Sequence, residues 1–263
     1  MKCDLGTHQL AYDISGPKEA SVVLFGHCFA SNRHFWDAQL PALTAYRTIC
    51  YDTRGHGESD TPPGPYRLDD LGNDVIALLD ALGIERVHYI GVSMGGMIGQ
   101  NLALRFPHRL ASLGLVNTIS TYDDAGRQAW RDRVEAVVRD GIESLHDTLM
   151  ARWFTPQAIR GQVPGLRYMS AAYRSFSATA FEWLAHAIIH DLDYADDLRH
   201  IAMPTFIVAS PDDPGIPRQA SEWMRDAIPR AEFTWLTPAH HLATLEHPDR
   251  FNRIVVDFLS RVS

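Results

Sequence analysis

Short apolar runs alternate along this chain with longer stretches in which apolar residues recur every three or four positions. The short runs, at residues 22–25, 48–51, 87–90, 113–117, 205–209 and 232–236, are rich in β-branched and aromatic side chains and read as buried strands. Between them lie helical patterns. Residues 69–82 place Leu71, Val75, Leu78, Leu79 and Leu82 on one stripe before Gly83, where the pattern stops. Residues 3–14 read instead as an antiparallel opening pair. Alternating strands and helices predict a mostly parallel, eight-stranded sheet with helices on both faces. The alternation breaks between about Tyr122 and Asp197. That stretch carries no strand pattern, is rich in Arg, Trp and Ala, and shows helical patterning at 131–138, 142–154 and 178–190. An all-helical insertion after a strand is a natural lid. The expected organisation is a core of residues 1–121 and 198–263 with a lid of residues 122–197.

One turn between a strand and a helix carries recognisable chemistry. Gly91-Val92-Ser93-Met94-Gly95 is a G-x-S-x-G pentapeptide. Val87-His88-Tyr89-Ile90 precedes it as a strand; Met97, Ile98 and Leu102 follow it at helical spacing, before Pro107. A sharp strand-to-helix turn at Ser93 would lift its Oγ clear of the sheet edge, and glycines spare a strained turn from collisions. The helix behind it would aim its first N–H groups at the same point, favouring developing negative charge. The alternative is a glycine-rich turn that merely packs a helix on the sheet.

Composition narrows the function. The 263 residues suffice for one large domain or two small ones, and 46% hydrophobic with 21% charged residues is ordinary for a globular protein. A net charge of −8 without a basic cluster argues against a nucleic-acid partner. No apolar run approaches the ~20 residues that span a bilayer, and Met1-Lys2-Cys3-Asp4 does not open a signal peptide. Cys3, Cys28 and Cys50 are odd in number and lack metal spacing. A cytoplasmic protein is the expectation.

A serine hydroxyl needs a base to take its proton and a carboxylate to orient that base. Toward the C-terminus stand two neighbouring acids, Asp212 and Asp213, and two neighbouring histidines, His240 and His241. At this point the chain resembles the α/β-hydrolases over nearly its whole length. Asp52-Thr53-Arg54-Gly55-His56-Gly57-Glu58-Ser59 resembles the family's D-x-R-G-H-G-x-S loop, and residues 91–96 resemble its nucleophile elbow. Within that superfamily it resembles the 3-oxoadipate enol-lactonases, through Trp36-Asp37, Pro62-Pro63-Gly64-Pro65-Tyr66, the extended elbow to Gln100, and Arg152-Trp153-Phe154-Thr155-Pro156. The loop His27-Cys28-Phe29-Ala30 departs from the Asn-Ser-Leu-Gly of that group.

The resemblance implies a Ser–Asp–His triad in that chain order. It selects Asp213, four residues before Pro217, over Asp212, and His241, five residues before Glu246 and seven before Pro248, over His240. It also implies an oxyanion hole built from the backbone N–H groups of Met94 and, by position, Phe29. The reaction expected is cofactor-free cleavage of a small carboxylic ester or lactone through an acyl-enzyme, with 3-oxoadipate enol-lactone a candidate substrate. Alternatives keep the triad but change the bond (a C–C hydrolase or a perhydrolase), or keep the fold as a catalytically silent binding protein.

Other residues invite functional readings. His27 and His56 are expected to brace loops. Cys28 would need a lowered pKa to act as a nucleophile. His186 and His190 are four apart near Asp191 and Asp193 but lack a convincing third ligand, so no metal is expected. Trp130, Trp153, Phe176, Phe181 and Trp183 are aromatics of the lid, with Trp130, Trp153 and Arg152 as candidate substrate contacts. Arg127, Arg131, Arg133, Arg152, Arg167 and Arg174 could each clamp a carboxylate, and nothing in the pattern says which points inward.

Overall fold

The computed structural model describes residues 1–262. The eight strands are β1 (Lys2–Asp4), β2 (Gln9–Ser15), β3 (Val22–Gly26), β4 (Arg47–Tyr51), β5 (Val87–Val92), β6 (Leu110–Val116), β7 (Thr205–Ala209) and β8 (Glu232–Trp235). They form one sheet in the order β1-β2-β4-β3-β5-β6-β7-β8. β1 pairs antiparallel with β2, and β2 with β4; every later pairing is parallel. Among the described residues ten α-helices flank or cap it: α1 (Leu68–Ala81), α2 (Met94–Arg105), α3 (Asp124–Asp140), α4 (His146–Trp153), α5 (Pro156–Arg160), α6 (Pro164–Arg174), α7 (Ala178–His190), α8 (Arg218–Ala227), α9 (Ala243–Glu246) and α10 (Pro248–Val262). Among the described residues no helix is long and apolar enough to cross a membrane.

The apolar runs form strands because both faces of the sheet are covered. All six residues of β5 and all five of β7 are buried. Each fully buried Val, Leu, Ile or Phe contributes about 1.5–3 kcal/mol relative to exposure. The stripe on α1 buries Leu71, Val75, Leu78 and Leu79 as its spacing requires. The strand order reverses direction between β3 and β5, whose carboxyl ends meet at the Gly26–Gly91 register pair. Such a reversal leaves a crevice beyond the strand ends, where ligands of open α/β sheets bind.

The helical stretch between β6 and β7 holds more elements than its periodicity suggested. Residues 142–154 do not form one helix: a 3-10 turn at Ile142–Leu145 precedes α4. α5 and α6 were not legible as separate helices; each begins with a proline after its N-cap, Pro156 and Pro164. Proline kinks or breaks a helix from inside but suits its first turn, so these prolines divide the stretch.

The Asp52–Ser59 loop turns out to be a brace. Asp52 accepts hydrogen bonds from the Arg33 backbone N–H and guanidinium, both at 2.6 Å, and from the Glu58 N–H at 2.8 Å. Arg54 makes a bidentate pair with Asp74 of α1 at 2.6 Å per bond. His27 Nε2 accepts from the Thr53 N–H at 3.0 Å, and His56 Nε2 accepts from the Ala30 N–H at 3.1 Å. Both imidazoles are fully buried, and burial lowers both pKa values, His56 well below the ordinary histidine range. Both are therefore neutral loop braces, as expected of them.

Candidate active site

Three strand ends deliver the expected Ser, Asp and His to one place. Ser93 follows β5, Asp213 follows β7 and His241 follows β8. The Ser93 hydroxyl lies 2.9 Å from His241 Nε2, and His241 Nδ1 lies 2.7 Å from Asp213 Oδ2. A carboxylate can only accept, so Nδ1 carries the proton and Nε2 is left as an acceptor for the serine. The neighbours that competed in the sequence stand apart: Asp212 is exposed while Asp213 is buried, and no triad bond reaches His240.

Ser93 sits at φ +53°, ψ −114°, a strained conformation for a serine. The turn is tight enough that a Cβ on Gly91 would lie 2.2 Å from the Gly95 carbonyl oxygen, and one on Gly95 2.2 Å from that of Gly26. Neither position tolerates a side chain. The turn is pinned by the Ser93 N–H donating to the Val116 carbonyl at 2.9 Å and the Thr118 hydroxyl donating to the Ser93 carbonyl at 2.7 Å.

Burial opposes ionisation of Asp213, but the adjoining His241 and its hydrogen-bond donors outweigh it and hold the carboxyl below the usual range. Its Oδ1 accepts from the Gly215 N–H at 2.6 Å and the Ile216 N–H at 3.2 Å; Oδ2 also accepts from the Asn117 side-chain amide at 3.2 Å. Asn117 escaped sequence reading. It directly follows β6 at φ +40° and reaches both Asp213 and Ser210. Asparagine tolerates left-handed backbone, but nothing in its local pattern signals that role.

Ser93 and His241 line a cavity of about 430 Å³. Phe29 and Met94 line it beside Ser93, as do Trp130, Trp153 and Arg152. Cys28 lines it too, but burial pushes its thiol up to about 12, and it donates to Ser31 Oγ at 3.3 Å; it is not a thiolate nucleophile. Phe29 packs edge-on against Phe181 and Trp130, with centroids 4.8 and 5.1 Å away, so the helical stretch closes directly over the β3 loop.

The structure sorts the six arginines. Arg133 and Arg152 line the cavity. Arg127 donates instead to the carbonyls of Ile189, Leu192 and Tyr122, securing the end of α7. Arg167 donates to the Gln162 carbonyl and Arg174 pairs with Glu143, both exposed; Arg131 reaches Gln128 at the surface. Arg133 lies over the Trp130 ring, 5.0 Å from its centroid. Burial and the nearby charge of Arg152 lower its pKa. Among the described residues no carboxylate comes within 4.0 Å of the Arg133 or Arg152 guanidinium. Tyr122, also missed, lines the same wall; burial raises its pKa, opposed by Trp130, Arg133 and Arg152. The His186 and His190 rings lie 4.4 Å apart, but no group of three or more His, Cys, Asp or Glu gathers there or elsewhere among the described residues.

Comparison with known proteins agrees with this architecture. 3-Oxoadipate enol-lactonase 2 of Acinetobacter baylyi is 34% identical over 253 residues, covering 96% of this chain and 93% of that protein. 3-Oxoadipate enol-lactonase 1 of the same organism is 30% identical over 257 residues, covering 96% and 94%. The crystal structure of the enol-lactonase from Burkholderia xenovorans superposes with a TM-score of 0.94 at 28% identity, covering 99% of this chain and all of that one. A profile of the alpha/beta hydrolase fold matches residues 21–248. The chain therefore belongs to the α/β-hydrolase family and resembles its enol-lactonases.

Proposed function

We propose that this protein is a serine hydrolase that opens a small ester or lactone carrying a carboxylate, with 3-oxoadipate enol-lactone the leading candidate. The observation that carries the reading is the continuous relay Asp213–His241–Ser93, with both hydrogen bonds at 2.9 Å or less. His241 takes the Ser93 proton as Oγ attacks the acyl carbon. Asp213 holds the imidazole in the required tautomer and stabilises the imidazolium that forms. Negative charge develops on the former carbonyl oxygen, where the Phe29 and Met94 N–H groups would donate. Met94 opens α2, so its N–H belongs to the helix end that favours an anion. The departing oxygen takes the proton from His241. Water, activated by the same base, then releases the acid from the acyl-enzyme.

The acidic substrate is supported by the pocket wall. Arg133 and Arg152 face the cavity without a carboxylate partner among the described residues. Two like charges side by side in a partly desolvated wall are relieved by an incoming anion, and guanidiniums bind carboxylates in bidentate fashion. The helices from α3 to α7 act in this reading as the lid that selects substrate. A fluorophosphonate probe should label Ser93 and nothing else. Turnover of 3-oxoadipate enol-lactone beside a panel of neutral p-nitrophenyl esters should favour the acid. Absence of labelling would return the chain to the silent binding proteins; labelling with a preference for neutral esters would make it a general carboxylesterase.

A further inference from the structure

Glu246 lies on α9, five residues after His241, and makes contacts that join the base-bearing loop to the pocket wall. Its Oε1 accepts from the His240 N–H at 2.9 Å. Its Oε2 accepts from the Thr155 hydroxyl at 2.5 Å and the Thr155 N–H at 3.2 Å. Thr155 caps α5, its hydroxyl accepting from the Ala158 N–H, and immediately follows Arg152-Trp153-Phe154. On the other side of His241, the Leu242 N–H donates to the Trp153 carbonyl at 3.0 Å. The base is thus flanked, at residues 240 and 242, by two ties to the segment that carries Arg152 and Trp153 into the cavity. A single carboxylate closes the first tie and leaves neither oxygen idle.

We infer that Glu246 is a positioning residue that sets His241 and the Arg152–Trp153 wall in one geometry, so that activation of Ser93 and recognition of the substrate's carboxylate depend on each other. The inference rests on the triad reading above. A carboxylate accepts with both oxygens, whereas an amide offers one acceptor and one donor group. In Glu246→Gln, one side of the bridge must face a donor with a donor, whichever way the amide turns. Thr155→Val removes the hydroxyl from the wall side and leaves the carboxylate to hold His240. Thr155→Ser keeps the hydroxyl.

The test measures three quantities per folded active site: the rate of fluorophosphonate labelling of Ser93, kcat, and the ratio of kcat/KM for 3-oxoadipate enol-lactone to that for a neutral ester of similar size. Misplacing a reacting group by about an ångström costs on the order of 100-fold. Glu246→Gln should therefore slow labelling by about ten- to 100-fold and shrink the acid preference together. Thr155→Val should reduce the preference more than the labelling rate, and Thr155→Ser should restore both. A merely structural role predicts fewer folded molecules with labelling rate and preference per site unchanged, and that result overturns the inference. If Glu246→Gln does not fold, the Thr155 pair decides: equal preference in Thr155→Val and Thr155→Ser overturns it. Ser93→Ala serves as the control. Persistent labelling in that variant refutes the triad itself, whereas its loss with an unaffected Glu246→Gln refutes only the coupling.

Discussion

The strand-end loops and the helical cover meet at one cavity but are held by different physics. In the loops, each residue of the proposed relay is tied by backbone or carboxylate hydrogen bonds: Ser93 through Val116 and Thr118, Asp213 through Gly215 and Ile216, and His241 through Asp213. Geometry there tolerates little change. In the cover, side chains of the same type do unrelated work. Arg127 holds helix-end carbonyls, Arg174 pairs with Glu143 at the surface, and Arg133 faces the cavity. In the proposed function the first region carries the chemistry and the second the discrimination, so changes in the two should have separable signatures.

Breaking the relay should have the largest effect. Ser93→Ala deletes one hydroxyl and should leave the fold intact while hydrolysis falls by several orders of magnitude, on the order of 10⁶ where triad members act as a unit. Ester turnover by the purified variant at near the parent rate would remove Ser93 from the mechanism. Asp213→Asn should follow, with a loss of about 10⁴-fold in kcat from the wrong imidazole tautomer. Asp212→Asn, at an exposed position outside the relay, should change kcat little. Steady-state kinetics on the two variants checks the assignment, and a reversed order would shift the acid by one residue.

Changes in the cover should be smaller and should fall on selectivity. Arg133→Ala and Arg152→Ala should each reduce the preference for the acidic substrate, by about 30-fold or more if a buried Arg–carboxylate contact contributes about 2–5 kcal/mol on truncation. Arg127→Ala should leave that preference alone and lower stability instead, by about 1–3 kcal/mol for carbonyls that lose their donor. Competition kinetics with paired acidic and neutral esters, alongside urea unfolding, separates the two outcomes. A selectivity change in Arg127→Ala equal to that in Arg133→Ala would erase the distinction between wall and brace.

The smallest effect concerns the braces between the regions. His27 and His56 stay neutral in the fold because burial lowers their pKa values. Unfolded histidines titrate near ~6.5. Below that pH the unfolded chain binds protons that the folded chain does not, so stability falls as pH drops, by about 1.4 kcal/mol per pH unit for His56, whose pKa lies well below the ordinary range. His56→Gln should flatten the slope of unfolding free energy between pH 6.5 and 5 by close to one proton. An unchanged slope would mean that His56 takes up its proton in the folded state.

Most of the sheet was legible because buried strands leave a local mark: short runs of β-branched and aromatic residues at 22–25 and 87–90 correspond to β3 and β5. The elbow was legible for the same reason, since a tight turn demands glycine wherever backbones touch. The base and acid needed the resemblance, because Asp212 and Asp213, or His240 and His241, are chemically alike until the loop's path decides which is buried. The cover was least legible. Its helices are broken by prolines whose first-turn placement mimics a loop, and a helix surface presents arginine equally to water or to a cavity.

The sequence by itself determined what is enforced between near neighbours along the chain: strand and helix periodicity, the strained serine turn, and the helix that starts behind it. Only the tertiary structure decided what joins distant segments. It brought Asn117 to Asp213, chose Arg133 and Arg152 out of six arginines for the cavity wall, and set Thr155 against Glu246 across 91 residues. The physical reason is that side-chain direction, burial and hydrogen-bond partners at such distances follow from how whole elements pack, and no short window of sequence contains that information.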